Sequence, residues 1–180
     1  EVDEQQVNLT RFALFFPEKR DFFLENSGMF GIGTQGWRRT ADLFFTRRIG
    51  LSAAGQPVPI IGGGRLTGKV DRHNIAVMNI QTQGGQDRLG ENFFVGRYSR
   101  DILARSRIGG LVVNKEAIGG NSYNRTFAVD TTLAPHPNFV VNSFIAKTET
   151  PEVSTGDMAG YVSAAWLSPS YRVEAEYTDI

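Results

Sequence analysis

The residues whose types and spacing could do chemistry fall into two sets. Glu18, Lys19, Arg20 and Glu25, with Arg47 and Arg48, form a charge cluster among Phe12, Phe15, Phe16, Phe22 and Phe23. Charges held among aromatic rings lose hydration, so such a cluster suits a functional role at the mouth of a pore or on a helix folded into one. The plainer alternative is a solvated helix start, whose surface pairs contribute at most about 1 kcal/mol each. The second set is Arg65, Lys69, Arg97 and Asp130, which lie within strand-like segments. They are expected to face a lumen, where cationic linings favour anionic solutes. A simpler role competes here too: charges of both signs pair and hold the wall together, with Asp101 and Asp130 as the acidic partners.

Other chemistry is thin. Gly62-Gly63-Gly64 lacks the trailing Lys-Ser/Thr of a phosphate loop and opens no helix. In a strand, such glycines mark a bend or a close backbone approach. His73 and His136 fall in expected turns, and no His, Asp or Glu spacing supplies the three or four converging ligands of a metal site. Glu174 and Glu176 share one strand face, as any polar face allows, and no Gly-x-Ser-x-Gly elbow is present. The absence of cysteine excludes disulfides and thiolate chemistry. No catalytic residue, cofactor or metal is expected.

The elements that must position these residues are strands. Nineteen basic and nineteen acidic side chains cancel, which argues against a nucleic-acid footprint. No run approaches the roughly 18 apolar residues of a membrane helix, a test that strands of a membrane barrel also pass. Residues 1–56 read as irregular, rich in Phe and Arg, and 57–180 as a strand–turn series. Strands are expected over 58–70, 75–82, 92–101, 107–115, 123–133, 139–148, 158–168 and 171–180. In 123–133, Phe127, Val129, Thr131 and Leu133 alternate with Thr126, Ala128, Asp130 and Thr132. Turns are expected at 71–74 and 135–138. Period-two alternation puts the two sets on opposite faces. A soluble sandwich would turn the apolar set inward. Strand lengths well above the usual mode of about 5–6 residues, and polar faces rich in hydroxyls and amides, favour the inverted arrangement of a membrane barrel. Tyr98, Tyr123, Tyr161, Trp166, Tyr171 and Tyr177 lie near expected strand ends or outer faces, where an interfacial aromatic girdle belongs. Upstream, 7–16 reads as a strand and 17–26 as a short helix, with Pro17 at its first position, Phe22 and Phe23 as apolar contacts and Gly28 as its stop.

An ordered series of motifs resembles a known family. It begins with Val7-Asn8-Leu9-Thr10-Arg11-Phe12, Phe15-Phe16-Pro17-Glu18-Lys19-Arg20 and Phe22-Phe23-Leu24-Glu25. It continues through Phe44-Phe45-Thr46-Arg47-Arg48-Ile49-Gly50-Leu51 and Gly55-Gln56-Pro57-Val58-Pro59-Ile60. Leu66-Thr67-Gly68-Lys69, Asn79-Ile80-Gln81-Thr82, Asn92-Phe93, Arg97, Arg100-Asp101 and Ala146-Lys147-Thr148 complete it. The pattern resembles the DUF5916 family; Asp21 departs from it, where the family is expected to favour proline. The resemblance implies a large outer-membrane β-barrel of Gram-negative bacteria, often fused to an N-terminal module similar to family 9 carbohydrate-binding domains. It supplies no catalytic residues.

The expected fold is therefore all-β: an antiparallel meander of long amphipathic strands, part of an outer-membrane-type barrel, with a short helix near the N-terminus. Residues 1–56 are expected to form a rim or plug and 57–180 the strands. The expected sheet is open, because the family's barrel is larger. Expected partners are outer-membrane lipid, carbohydrate, the rest of the barrel and a periplasmic module, without nucleic acid. The expected role is passage or surface binding of a glycan-related solute in the bacterial outer membrane. The rival reading is a soluble all-β carbohydrate-binding or hydrolytic domain. The two differ in whether Phe127, Val129 and Leu133 are exposed or packed under a second sheet.

Overall fold

The computed structural model describes residues 18–32, 43–44, 46–52, 55–85, 88–151 and 155–179. The strand expected over 7–16, with Phe12, Phe15 and Phe16, lies outside them, as does Pro17. Eight strands follow: β1 Ile60–Val70, β2 His73–Thr82, β3 Glu91–Leu103, β4 Ser106–Ala117, β5 Tyr123–His136, β6 Phe139–Glu149, β7 Met158–Leu167 and β8 Arg172–Asp179. They form an eight-stranded antiparallel sheet in chain order, each strand beside its sequence neighbours. The sheet is open, with β1 and β8 at its two edges.

Two turns are tighter than their composition suggests. Val70 pairs with His73, so the first turn is Asp71-Arg72, with Asp71 at φ 55. A short polar side chain tolerates that left-handed backbone. β5 runs on through Pro135 to His136 by way of a register irregularity, leaving Pro137-Asn138 as the turn. A bulge at a strand end is where a sheet accepts a proline. The two ends of the sheet differ: 71–72, 104–105, 137–138 and 168–171 link strands at one end, and the longer 83–90, 118–122 and 150–157 at the other.

The register divides the sheet into two faces. One carries Thr67, Ala76, Met78, Ile80, Phe93, Val95, Leu111, Ala128, Phe144, Ala146 and Tyr161, and most of these are buried. Phe23, Phe30, Ile32 and Ile49 of the N-terminal segment join the same apolar cluster, so this is the covered face. Burying one such side chain is worth about 1.5–3 kcal/mol. The opposite face carries Leu66, Val70, Ile75, Tyr98, Ile108, Val112, Phe127, Val129, Leu133, Ile145, Val162, Val173 and Tyr177, all exposed. Val70 is 73% exposed, Ile145 54% and Tyr177 67%.

The N-terminal helix is one turn, α1 Asp21–Leu24, shorter than the expected 17–26. Glu18 does not cap it, because its carboxylate is taken by Arg20 and Thr46. Asn26 then enters the left-handed region at φ 52 and the chain continues as a 3-10 turn, Ser27–Met29, that contains Gly28. Phe23 is buried as expected, whereas Phe22 is exposed.

Candidate functional site

Along the covered face, side-chain chemistry changes from one end of the strands to the other. Toward the long loops it is apolar at the centre, with Met78, Ile80, Phe93, Val95 and Val113, flanked by Arg65 on β1 and by Asn124 and Thr126 on β5. Toward the short turns it is polar, with Lys69, Asn74, Ser99, Asp101, Arg107, Thr132 and Asn142. Gly28, Met29, Gly31 and Ile32 lie over part of this polar half, enclosing a cavity of about 340 Å³. Its sheet-side lining includes Lys69, Asn74, Arg97, Arg107, Asp130, Thr132, Asn142 and Tyr161.

Two ion-pair systems line it. Arg97 on β3 donates from Nη2 to Asp130 Oδ2 on β5 at 2.7 Å, and its Nη1 lies 2.6 Å from Oδ1. The two side chains are 6% and 15% exposed. Arg97 crosses β4 to get there, over Gly109, which pairs with both Ser99 and Asp130. A Cβ at 109 would stand 2.5 Å from Arg97 Nη1, so the glycine is what admits the guanidinium. The second system is a shared carboxylate. Lys69 Nζ donates to Asp101 Oδ2 at 2.9 Å and Arg107 Nε to Oδ1 at 2.7 Å. Both cations remain about half-exposed. The amide nitrogen of Asn74 is buried without a hydrogen-bond acceptor among the described residues.

The N-terminal segment is fastened by two arginines. Arg20 grips Glu18 with Nε and Nη2, each at 2.8 Å. It also donates to the carbonyls of Ile49 at 2.7 Å and Thr46 at 3.0 Å, and lies 4.2 Å over the Phe23 ring. Thr46 Oγ1 donates to Glu18 at 2.9 Å. Partial burial pushes the Glu18 carboxyl up, yet the hydrogen bonds from Arg20 and Thr46 outweigh it and hold it at about 2, against an ordinary 4.5. Arg65 on β1 reaches across to donate to the carbonyls of Phe22 and Glu25 and to the Glu25 carboxylate. It sits 5.2 Å from the Phe22 ring centroid, and Asn26 bonds Thr67 at 3.1 Å.

The six residues of the expected N-terminal cluster thus separate. Glu18 and Arg20 are one unit; Glu25 belongs to Arg65; Lys19 and Arg48 are exposed. Arg47 lies in the 3-10 turn Thr46–Arg48, and its side chain is outside the described residues. The expected lumen set, Arg65, Lys69, Arg97 and Asp130, shares the covered face, and each member is ion-paired. Sequence reading passed over Arg107, Asn74, Gly109 and Asn142. Arg107 and Gly109 keep parity with buried Leu111 on β4, a signal the sequence does contain.

Other expectations change. His73 and His136 are strand residues: His73 Nδ1 is 2.7 Å from Tyr98 Oη, and His136 stacks on Trp166 at 5.1 Å. Tyr161 is not on the outer face but buried against Phe144, because its partner positions put it on the covered side. Gly62, Gly63 and Gly64 lie within β1. Glu174 pairs with Arg172 at 2.8 Å. Among the described residues no group of three or more His, Asp or Glu converges as metal ligands.

No curated protein and no solved structure matches the chain. The family model described as domain of unknown function (DUF5916) matches residues 1–67, the stretch that holds the Arg20 and Arg65 clamps. That match supports the resemblance carried by the motifs over the N-terminal part of the chain.

Proposed function

We propose that the eight strands are consecutive staves in the wall of a bacterial outer-membrane β-barrel, and that the described N-terminal segment lies inside it as a partial plug. The observation that carries this reading is a second apolar face that the rest of the described molecule leaves uncovered. The face under the segment holds an apolar cluster, paired charges and a polar cavity, whereas the opposite face exposes apolar side chains from β1 to β8. Soluble monomers rarely expose contiguous apolar patches beyond a few hundred Å². A barrel wall presents such a band to lipid, with a polar interior. The unequal loops support the same reading, since outer-membrane barrels have short turns on one side and longer loops on the other. The open edges at β1 and β8 suit a sheet completed by further strands.

In this reading the protein is not an enzyme. It handles a hydrophilic solute, glycan-related on the strength of the family resemblance, by passage through or capture within the lumen. The test is heat-modifiable gel mobility of the native protein extracted in mild detergent. A compact, detergent-dependent band that shifts on boiling is expected. A protein that stays folded and monomeric without detergent would sink the barrel and leave the soluble carbohydrate-binding or hydrolytic domain standing.

A further inference from the structure

We propose that the cavity beneath Met29 and Ile32 binds a small hydroxylated monocarboxylate. The inference deepens the passage reading by naming a solute class, and it rests on that reading. Three features of the lining point the same way.

The first is charge. Lys69, Arg97 and Arg107 face the two carboxylates Asp101 and Asp130, leaving one cation in excess. The excess is local. Arg97 is taken up by Asp130, with one hydrogen bond to Oδ2 and a close ionic approach to Oδ1, an oxygen that has no directed donor among the described residues, whereas Lys69 and Arg107 divide the single carboxylate of Asp101. Among the described residues Arg107 spends only Nε, on Asp101, so its two terminal nitrogens can take a second carboxylate in the forked geometry that guanidinium favours. Lys69 has further protons to donate from the other side.

The second is the unmatched amide. Asn74 Nδ2 is buried with no acceptor among the described residues, and a buried donor without a partner costs about 1–3 kcal/mol. Asn74 lies opposite Lys69 in the register, so a ligand held by Lys69 and Arg107 brings an acceptor to it. The third is the remaining wall. Beside the apolar surfaces of Met29, Ile32, Phe144 and Tyr161, Ser99, Thr132 and Asn142 offer hydroxyl and amide groups able both to donate and to accept, which fits a carbon chain that carries hydroxyls. A volume of about 340 Å³ lies at the small end of the range for ligand pockets.

Gluconate and its neutral counterpart sorbitol are suitable probes, because they share a polyhydroxyl chain and differ in the carboxylate. Calorimetric titration of the native protein in detergent is expected to show gluconate binding at least about tenfold tighter than sorbitol, the worth of one charge-assisted hydrogen bond. Lys69→Gln and Arg107→Gln should each weaken gluconate by about tenfold and sorbitol much less, so that the preference for gluconate shrinks. Asn74→Ala should weaken both. Equal affinity for the two probes, no binding of gluconate, or gluconate binding indifferent to both charge variants would overturn the proposal. The heat shift is read on the same samples. A normal shift without gluconate binding rejects the site and spares the barrel; loss of detergent dependence rejects the barrel whatever binds.

Discussion

Arg97 on β3 and Asp130 on β5 meet across an intervening strand, 2.6–2.7 Å apart, through a gap that Gly109 on β4 leaves open. Three strands are thereby tied by one pair of side chains in addition to their backbone ladders. The pair is nearly dry, so losing one partner strands the other charge, at about 3–5 kcal/mol. Arg97→Leu or Asp130→Leu should therefore lower the unfolding midpoint in urea markedly, and the double variant should recover much of that loss. If the singles are neutral, the pair is solvated and the argument fails.

Gly109→Ala tests the gap itself. The added Cβ would meet Arg97 Nη1 at 2.5 Å, and the guanidinium has to move off Asp130. The expected result is a destabilisation comparable to Arg97→Leu, with little further loss when Gly109→Ala is added to that variant. Simple additivity of the two would show that the glycine serves some other end.

Arg65 holds α1 to β1. Arg65→Gln should loosen the N-terminal segment without disturbing the sheet. An ion pair with one exposed partner contributes about 1 kcal/mol, or roughly fivefold in local opening. Hydrogen exchange should accelerate by about that factor at the amides of Leu24 and Glu25 and stay unchanged at Val95 and Leu111. Uniform acceleration across the sheet would mean that segment and wall open together.

The Glu18 carboxyl is held at about 2, below its ordinary 4.5. A group depressed on folding stabilises the docked segment fully above its unfolded value and loses that contribution as pH falls through the folded one. Protection of the Ile49 amide, taken relative to its intrinsic exchange rate at each pH, should hold down to about pH 4.5 and fall between there and about 2. Glu18→Gln should abolish that pH dependence. An identical profile in the variant would assign the effect to another carboxylate.

The apolar band should tolerate no charge near its middle. On the proposed barrel reading, Val129→Lys should cost about 2–4 kcal/mol of folding into lipid vesicles, the penalty for a lysine at the bilayer midplane. Ala128→Ser, one residue along on the covered face, should be far milder. Equal effects would remove the distinction between lipid and lumen faces.

Strand positions were legible because alternation is a local property: each of the eight strands expected over 58–180 appears, five of them lengthened by a residue or more at an end. Faces were legible wherever alternation was strict, as at Phe127 to Leu133. They failed at Tyr161, where Gly160, Ala164 and Ala165 give no polarity contrast and pairing with Phe144 alone decides the side. The charge cluster failed for a related reason. Glu18 and Glu25 are neighbours in sequence, but a one-turn helix followed by the left-handed Asn26 sends them to different partners, Arg20 and Arg65. The cavity was beyond sequence reading because its roof, Met29 and Ile32, comes from a segment without periodicity.

The order of the strands bears on how the molecule is assembled. Every strand pairs with the one just made, so each new ladder closes a short loop, and loop-closure entropy stays small at each step. The clamps that seat the N-terminal segment reach β1, through Arg65 and Thr67, but the apolar cluster it joins extends to Tyr161, far along the chain. The clamps need β1 alone, whereas the cluster is complete only after the strands between exist. Growth of the sheet by successive hairpins would therefore be fast and sequential, and full docking of the segment a later event. Until it comes, Met78, Val95 and Leu111 stand uncovered, and that interval is when a chaperone would find the most to hold.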